Sequence, residues 1–278
     1  SQYPQARAFF EEALPIYHTL DDKQGMSIVL NNLSIVAHSQ GALMEALDYW
    51  EQANQTHEEM GDRQGNARVL SNLGSAYMDL GDFQTSQVYM FRALNLCQEI
   101  NERFGECVNL INLGVVAYYV HDNANAELYG SRAVEVAQEI KSAYLEGLAM
   151  TERGFVLVGL DKLEQAKALY ETALLKWQAL GQASQIFETQ VELARIMWLQ
   201  GHVAEAVQQL LPTVNNVFEA HLIDGTMRPF HVYLTCYQIL SVINTVQARV
   251  ILERGYTALQ ERADNIYPIA KQQLFLEQ

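Results

Sequence analysis

Apolar positions in this chain fall at helical spacing, in blocks that return every 40 residues. Between Gly65 and Leu80, the residues Val69, Leu70, Leu73, Tyr77 and Leu80 share one helical face. Gly81 is placed to stop that helix and Asp82 to cap the next. Glycine accepts a left-handed backbone, and a carboxylate accepts the free N–H groups of a first turn. A second helix is expected to run to about Ile100 with Phe83, Val88, Tyr89, Ala93 and Leu94 inward. The same beat relates Leu30, Leu70, Leu110 and Met150, then Leu33, Leu73, Leu113 and Leu193. It also relates Ser34, Gly74, Gly114, Gly154 and Ala194, and Ala46, Ser86, Ala126, Ala166 and Ala206. A fixed period of this length predicts a solenoid, in which each unit buries its apolar face only against its neighbours. Small residues such as Gly74 and Ser86 allow close helix approach, so each period reads as an antiparallel helical hairpin.

The run Leu70, Leu73, Gly74, Tyr77, Gly81, Asp82, Ser86, Tyr89, Ala93 resembles the tetratricopeptide repeat, lengthened from about 34 residues to 40. The segments NNLS at 31–34, SNLG at 71–74 and INLG at 111–114 are similar to the long-helix variety of that repeat. The tail, PFHVYLTCYQIL at 229–240 followed by the segment at 247–266, resembles the C-terminal sensor region of MalT- and AfsR-like STAND signal-transduction ATPases. The resemblance implies an all-α, right-handed superhelical solenoid of antiparallel helical hairpins. The array is expected over residues 1–224, with a partial unit at 1–24 and repeats starting near 25, 65, 105, 145 and 185. A divergent hairpin and a capping helix are expected over 225–278.

The formal charge is −15, with 18 Lys and Arg against 33 Asp and Glu. Such a surface repels phosphate backbones and anionic lipid, which argues against direct nucleic-acid binding. No run of 18 apolar residues and no apolar leader appears, so a cytoplasmic location is expected. Cys97, Cys107 and Cys236 form no metal-ligand spacing and read as buried thiols. Residues 3–20 align with the second helix of a unit, with Ala6 and Ala13 on its small positions. The chain thus opens in mid-repeat, as a piece of a larger protein would. The STAND resemblance implies a nucleotide-binding domain upstream, and no GxxxxGK[ST] loop lies in this sequence.

If Leu30, Leu33 and Ala37 and their equivalents take the core, the stripe one step round each first helix faces the groove. It reads Ile28, Asn31, Ile35, His38; then Arg68, Ser71, Ser75, Met78; then Val108, Ile111, Val115, Tyr118. The fourth repeat gives Leu148, Thr151, Phe155, Val158, and the fifth Glu188, Val191, Arg195, Trp198. An apolar strip on an open wall marks a contact site for a protein, peptide or ligand, with Tyr118 and Tyr119 supplying amphipathic area beside it. The alternative is that facing repeats bury the strip. Asn32, Asn72 and Asn112 recur at one flanking position. By resemblance they would hydrogen-bond an extended peptide; equally, they could bond the neighbouring helix and set repeat spacing. The row breaks at Glu152 and Glu192, and Arg153 replaces a core leucine, where it would either snorkel or pair with one of the two glutamates.

No HExxH spacing, nucleophile elbow or phosphate loop appears, and no cofactor is expected. The function expected is recognition. The leading reading is a sensor region whose groove takes a protein or peptide segment, and the alternatives are a free-standing adaptor and a small-molecule pocket inside the superhelix.

Overall fold

The computed structural model describes residues 3–219, 223–243 and 245–277. Among them are fourteen α-helices and one 3-10 turn, with no strand. Ten helices follow one another at an even beat: α1 (Tyr3–Thr19), α2 (Lys23–Ser39), α3 (Leu43–Met60), α4 (Arg63–Asp79), α5 (Phe83–Glu99), α6 (Arg103–Tyr119), α7 (Asn123–Glu139), α8 (Ala143–Gly159), α9 (Leu163–Leu180) and α10 (Ala183–Leu199). After α11 (Val203–Glu219) come the 3-10 turn (Ile223–Gly225), α12 (Pro229–Leu240), α13 (Thr245–Ala263) and α14 (Ile269–Leu276).

The beat is set by the turns. A residue with positive φ stands at 21, 41, 61, 81, 101, 121, 141, 161, 181 and 201, one every twenty residues. At the fourth of these, the Gly81 N–H donates to Met78 O at 3.0 Å and the Asp82 N–H to Tyr77 O at 2.9 Å. This paired closure ends a helix on a left-handed residue. Asp82 then caps α5, its side chain accepting from the Thr85 N–H at 3.2 Å. One short link therefore stops one helix and starts the next. Half of the left-handed positions are not glycine: Asp21, Asn101, His121, Lys141 and Asp161.

The chain divides into two compact units, residues 1–122 with 262–278, and residues 123–261. In the first, α2 pairs with α3 and α4 with α5. Leu70, Leu73, Ala93 and Ser86 are fully buried, and Ser86 Oγ donates to Gly74 O at 2.7 Å. A Cβ at Gly74 would stand 2.6 Å from Met90 Cγ, so the small residue is what lets α4 and α5 close. Val88, expected inward, is exposed, and Met90 takes the buried place. Positions 86, 90, 93, 94 and 97 make the buried helical line, and Val88 lies off it. The end of α13 and the last helix also belong to this unit: Arg262 pairs with Asp79 at 3.4 Å and Lys271 with Asp82 at 2.8 Å.

In the second unit α8 pairs with α9, α10 packs on both α9 and α11, and α12 packs on α10 and α11. Gly154 and Gly147 of α8 are seats for the rings of Tyr170 and Trp177, where a Cβ would come within 3 Å. The Trp177 Nε1–H donates to Thr151 Oγ1 at 3.1 Å. A single core joins Phe187, Val191, Leu210, Val232, Ile239 and Ile251, with Trp198 packed at its edge.

The turn geometry makes opposite predictions for two links. Lys141 is exposed with φ 55°, and a left-handed L-residue costs about 1–2 kcal/mol, partly offset by the entropy glycine loses on folding. Lys141→Gly should raise stability by roughly 0.5–1 kcal/mol. Gly61 has φ 67° and open space around it, so Gly61→Ala should lower stability by about 1 kcal/mol through the backbone alone. Urea denaturation of both variants checks this.

Candidate functional site

In the first unit, the stripe of α4 and α6 is partly open and partly sealed. Arg68 is exposed, Val108 half-buried, but Ile111 and Val115 are 3% and 4% exposed. Both of the latter side chains belong to the buried core, and α6 is tied to α4 through asparagines beside them. The Asn109 amide donates to Ser71 Oγ at 2.7 Å and the Asn112 amide to Ser75 Oγ at 3.1 Å. The Asn72 amide donates to Asn31 Oδ1 at 3.4 Å. Asn72 and Asn112 thus tie adjacent first helices together; Asn32 stands half-buried on α2. Tyr119 stacks on Phe83 with centroids 4.4 Å apart, and Tyr118 tilts against Tyr119 at 5.6 Å. The expected open apolar strip is therefore interior at Ile111 and Val115.

What remains open is a cavity of about 310 Å³ between the N-terminal halves of α4 and α6. It brings together three residues singled out by the sequence, Arg68, Asn72 and Val108, with Ser71, Phe104 and Glu102. The Phe104 ring is more than half exposed. Cys97 lies at its edge, buried, and burial pushes its thiol up to about 11. Phe104 lies four residues before Val108, continuing its stripe into the first turn of α6, and Glu102 is the cap before that turn.

In the second unit the equivalent stripe is filled by the chain itself. Phe155 is buried under Arg228, whose guanidinium carbon lies 3.8 Å from the ring centroid, with His231 edge-on at 5.6 Å. Arg228 donates to both oxygens of the buried Glu152, Nη1 to Oε1 at 3.2 Å. Glu188 accepts the N–H groups of Met227 at 2.8 Å and Arg228 at 3.1 Å, just where α12 begins. Glu192 receives Arg195 at 3.4 Å and His231 at 2.9 Å. The His231 Nε2 also lies 3.2 Å from Arg195, so the shorter contact places its proton towards Glu192. Phe155 and Arg195 are thus held inside this network rather than offered to a groove.

The network removes one of the two alternatives for Arg153, the pair with a glutamate. Neither Glu152 nor Glu192 meets it; both are taken from α12 and its approach or from Arg195. The Arg153 stem instead lies over Gly130, and its buried Nε has no hydrogen-bond partner. Burial, and the charge of Glu192, raise the Glu188 carboxyl to about 7 despite the two N–H donors. For Glu192 burial also pushes upward, but His231 and Arg195 outweigh it and hold the carboxyl below its ordinary value.

Among the described residues no three His, Cys, Asp or Glu gather as a metal site, and no helix is long and apolar enough to cross a membrane.

The tetratricopeptide-repeat family model matches residues 65–139. No curated protein matches the sequence. Among solved structures, the chain is similar to the apo form of RapI, with TM-score 0.67 and 13% identity over 90% of this chain and 94% of that one. A Rap protein in complex with competence and sporulation factor gives 0.65 and 15%, over 92% and 74%. A STAND protein with a tetratricopeptide-repeat sensor from Pyrococcus horikoshii gives 0.63 and 16%, over 89% of this chain but 37% of that protein. The chain is a tetratricopeptide-repeat array, and its fold resembles that of a STAND sensor region. Arrays of this repeat are generally scaffolds for protein contacts rather than catalysts.

The raised Glu188 carboxyl fixes a pH dependence. Unfolded, it titrates near 4.5; folded, near 7, so the folded state holds the extra proton between those values. Its contribution to stability is complete below about 4.5 and is lost as pH rises to about 7, on the order of 3 kcal/mol. Glu188→Gln should remove that loss. The measurement is the stability difference between the variant and the parent protein across this window, which should widen in favour of the variant as pH rises.

Proposed function

We propose that this tetratricopeptide-repeat array recognises an extended segment of a partner protein along the inner stripe of its first unit. The observation that carries the proposal is the open cavity between α4 and α6, which holds the Arg68 guanidinium, without an ion pair among the described residues, an amide, a hydroxyl and an exposed aromatic ring. Those are the groups that hold a peptide: polar atoms for backbone, a ring for side-chain area. In the second unit the same stripe is occupied by Arg228 and His231, so the partner reads residues of the first unit. Asn32 on α2 and Tyr118 and Tyr119 at the C-terminal end of α6 are the remaining candidates, outside the cavity lining. Phe155, Arg195 and Trp198 act in packing and in the internal charge network.

Within that function, the array serves as the sensor of a STAND-like signalling ATPase, with a nucleotide-binding module in the same polypeptide. The fold similarity to the Pyrococcus horikoshii STAND sensor supports this. The similarity to a Rap protein that holds competence and sporulation factor supports a peptide as the ligand. Engagement would then bias the upstream module, as a ligand that prefers one conformation shifts a two-state protein.

Selection of linear peptides from a display library against the purified chain tests the site. Selected peptides should lose about tenfold or more in affinity with Asn72→Ala and with Phe104→Ala, since truncating an aromatic anchor costs about 2 kcal/mol. Glu58→Ala, on an exposed outer face, should leave affinity unchanged. Loss with Glu58→Ala alone would move the site to the outer surface.

A further inference from the structure

The chain returns to the first unit at its end: the last residues of α13, the link 264–268 and α14 all belong to it. Little apolar area holds them there. The buried hydrophobics of residues 262–277 are Ala263, Ile266 and Phe275, while Tyr267, Ile269 and Leu276 are exposed. The rest of the hold is ionic. Lys271 Nζ donates to Asp82 Oδ2 at 2.8 Å and stands 5.4 Å from the centroid of the Tyr77 ring, and Arg262 Nη2 donates to Asp79 Oδ2 at 3.4 Å. Each of the three groups beneath has a second partner inside the repeats. Asp82 accepts the Thr85 N–H through Oδ1 and so caps α5, and Asp79 Oδ2 lies 2.9 Å from His38 Nε2 at the end of α2. Tyr77 stacks on Tyr89 and donates its hydroxyl to Glu51 at 3.2 Å. Arg262 has company within the tail, its guanidinium carbon 5.8 Å from the centroid of the Phe275 ring. Lifting the tail therefore strands none of these groups: the carboxylates keep protein partners and the two cations pass to water. A contact of that kind, with few buried apolar side chains, opens locally at low cost.

We propose that residues 262–277 are a releasable clasp on the first unit, closed in this structure and lifted when a partner segment occupies the inner stripe. The coupling to a partner rests on the peptide reading above; the clasp itself does not. Position supplies the coupling. The cavity lies between the N-terminal halves of α4 and α6, whereas Asp79 stands at the other end of α4 and shares its carboxylate with His38, the last stripe residue of α2. A segment that runs on from the cavity towards His38 meets the clasp there. Charge sets how firmly the clasp is held. Residues 1–122 have 16 Asp and Glu against 6 Lys and Arg, so the two tail cations are drawn to an acidic surface, and salt weakens that pull. The closed state subtracts from affinity, since a ligand that needs the open form binds in proportion to the fraction open.

Hydrogen exchange of the full chain, read by mass spectrometry at about 50 mM and about 500 mM salt, tests the clasp without any ligand. In the parent protein at low salt the amides of α14 should be protected, but less than those of α4 and α5. Lys271→Gln and Asp82→Asn should each speed exchange in α14 about tenfold, the loss expected of one charge-assisted contact. Protection of α4 and α5 should persist, because asparagine still caps α5, and the double variant should add little beyond either change. High salt should act in the same direction. Peptides selected from the library should bind Lys271→Gln about three- to tenfold more tightly than the parent protein, and by reciprocity their addition should speed exchange in α14. Exchange in α14 that is unprotected in the parent protein, or that matches α4 and α5 in every variant, would overturn the clasp. A clasp that opens in both variants with peptide affinity unchanged would overturn the coupling, while dependence on Asn72 and Phe104 keeps peptide recognition standing. Loss of that dependence would instead remove the recognition reading and the coupling with it, and exchange in α14 would still decide the clasp.

Discussion

Every helix from α2 to α10 has to end on a left-handed residue twenty positions after the last one, and the packing of the array depends on that constraint. Helices of 17 or 18 residues joined by such links arrive at their neighbours in one register. Register places the small residues opposite one another, so Ser86 can meet Gly74 and Tyr170 can lie in the notch at Gly154. One inserted residue in a link would turn the next helix by about 100° and present the wrong face to the core. The tolerance for Asn, Asp, His and Lys at left-handed positions follows from the same constraint, since link length is held even where the residue type is strained.

The inner stripes of the two units use the same helical positions to opposite effect. In the first, serines and asparagines bond one first helix to the next and leave an open cavity at the helix starts. In the second, Glu152, Glu188 and Glu192 are buried carboxylates, and burying them would be costly without partners. The partners come from the segment leading into α12: a guanidinium, two backbone N–H groups and an imidazole. The carboxylates thus specify which segment closes that unit, and the closure removes Phe155 from solvent. The first unit, where recognition is proposed, has no such internal closure over Arg68.

The 40-residue beat, the hairpins, the stop at Gly81 and the cap at Asp82 were legible in the sequence because they are local or repeated. Each is written by a residue type with a strong conformational or volume preference. The break at Glu152, Arg153 and Glu192 was visible as well, but its meaning was not. The arginine that answers Glu152 lies 76 residues away, and nothing in local spacing points to it. At Ile111 and Val115 the strip is buried, the alternative the sequence left open, because burial depends on what packs over a stripe and local spacing does not record that. Phe104 continues the stripe of Val108 by one turn towards the helix start, so extending the same spacing by four residues would have reached it; Glu102, a cap, lies outside the helix. The twenty-residue spacing of the turns was hidden by the five links that lack glycine.

The central claim is that buried carboxylates of the second unit are neutralised by the chain's own α12 approach, and a double-mutant cycle between Glu152 and Arg228 measures it most directly. Glu152→Gln, Arg228→Gln and the double variant are compared by denaturant unfolding. The expected coupling is about 1–3 kcal/mol, with the double variant less destabilised than the sum of the two single variants, as for partners in one buried network. Additivity within roughly 0.5 kcal/mol would mean that the two charges act independently, and the inner stripe of that unit would then be open to a partner after all.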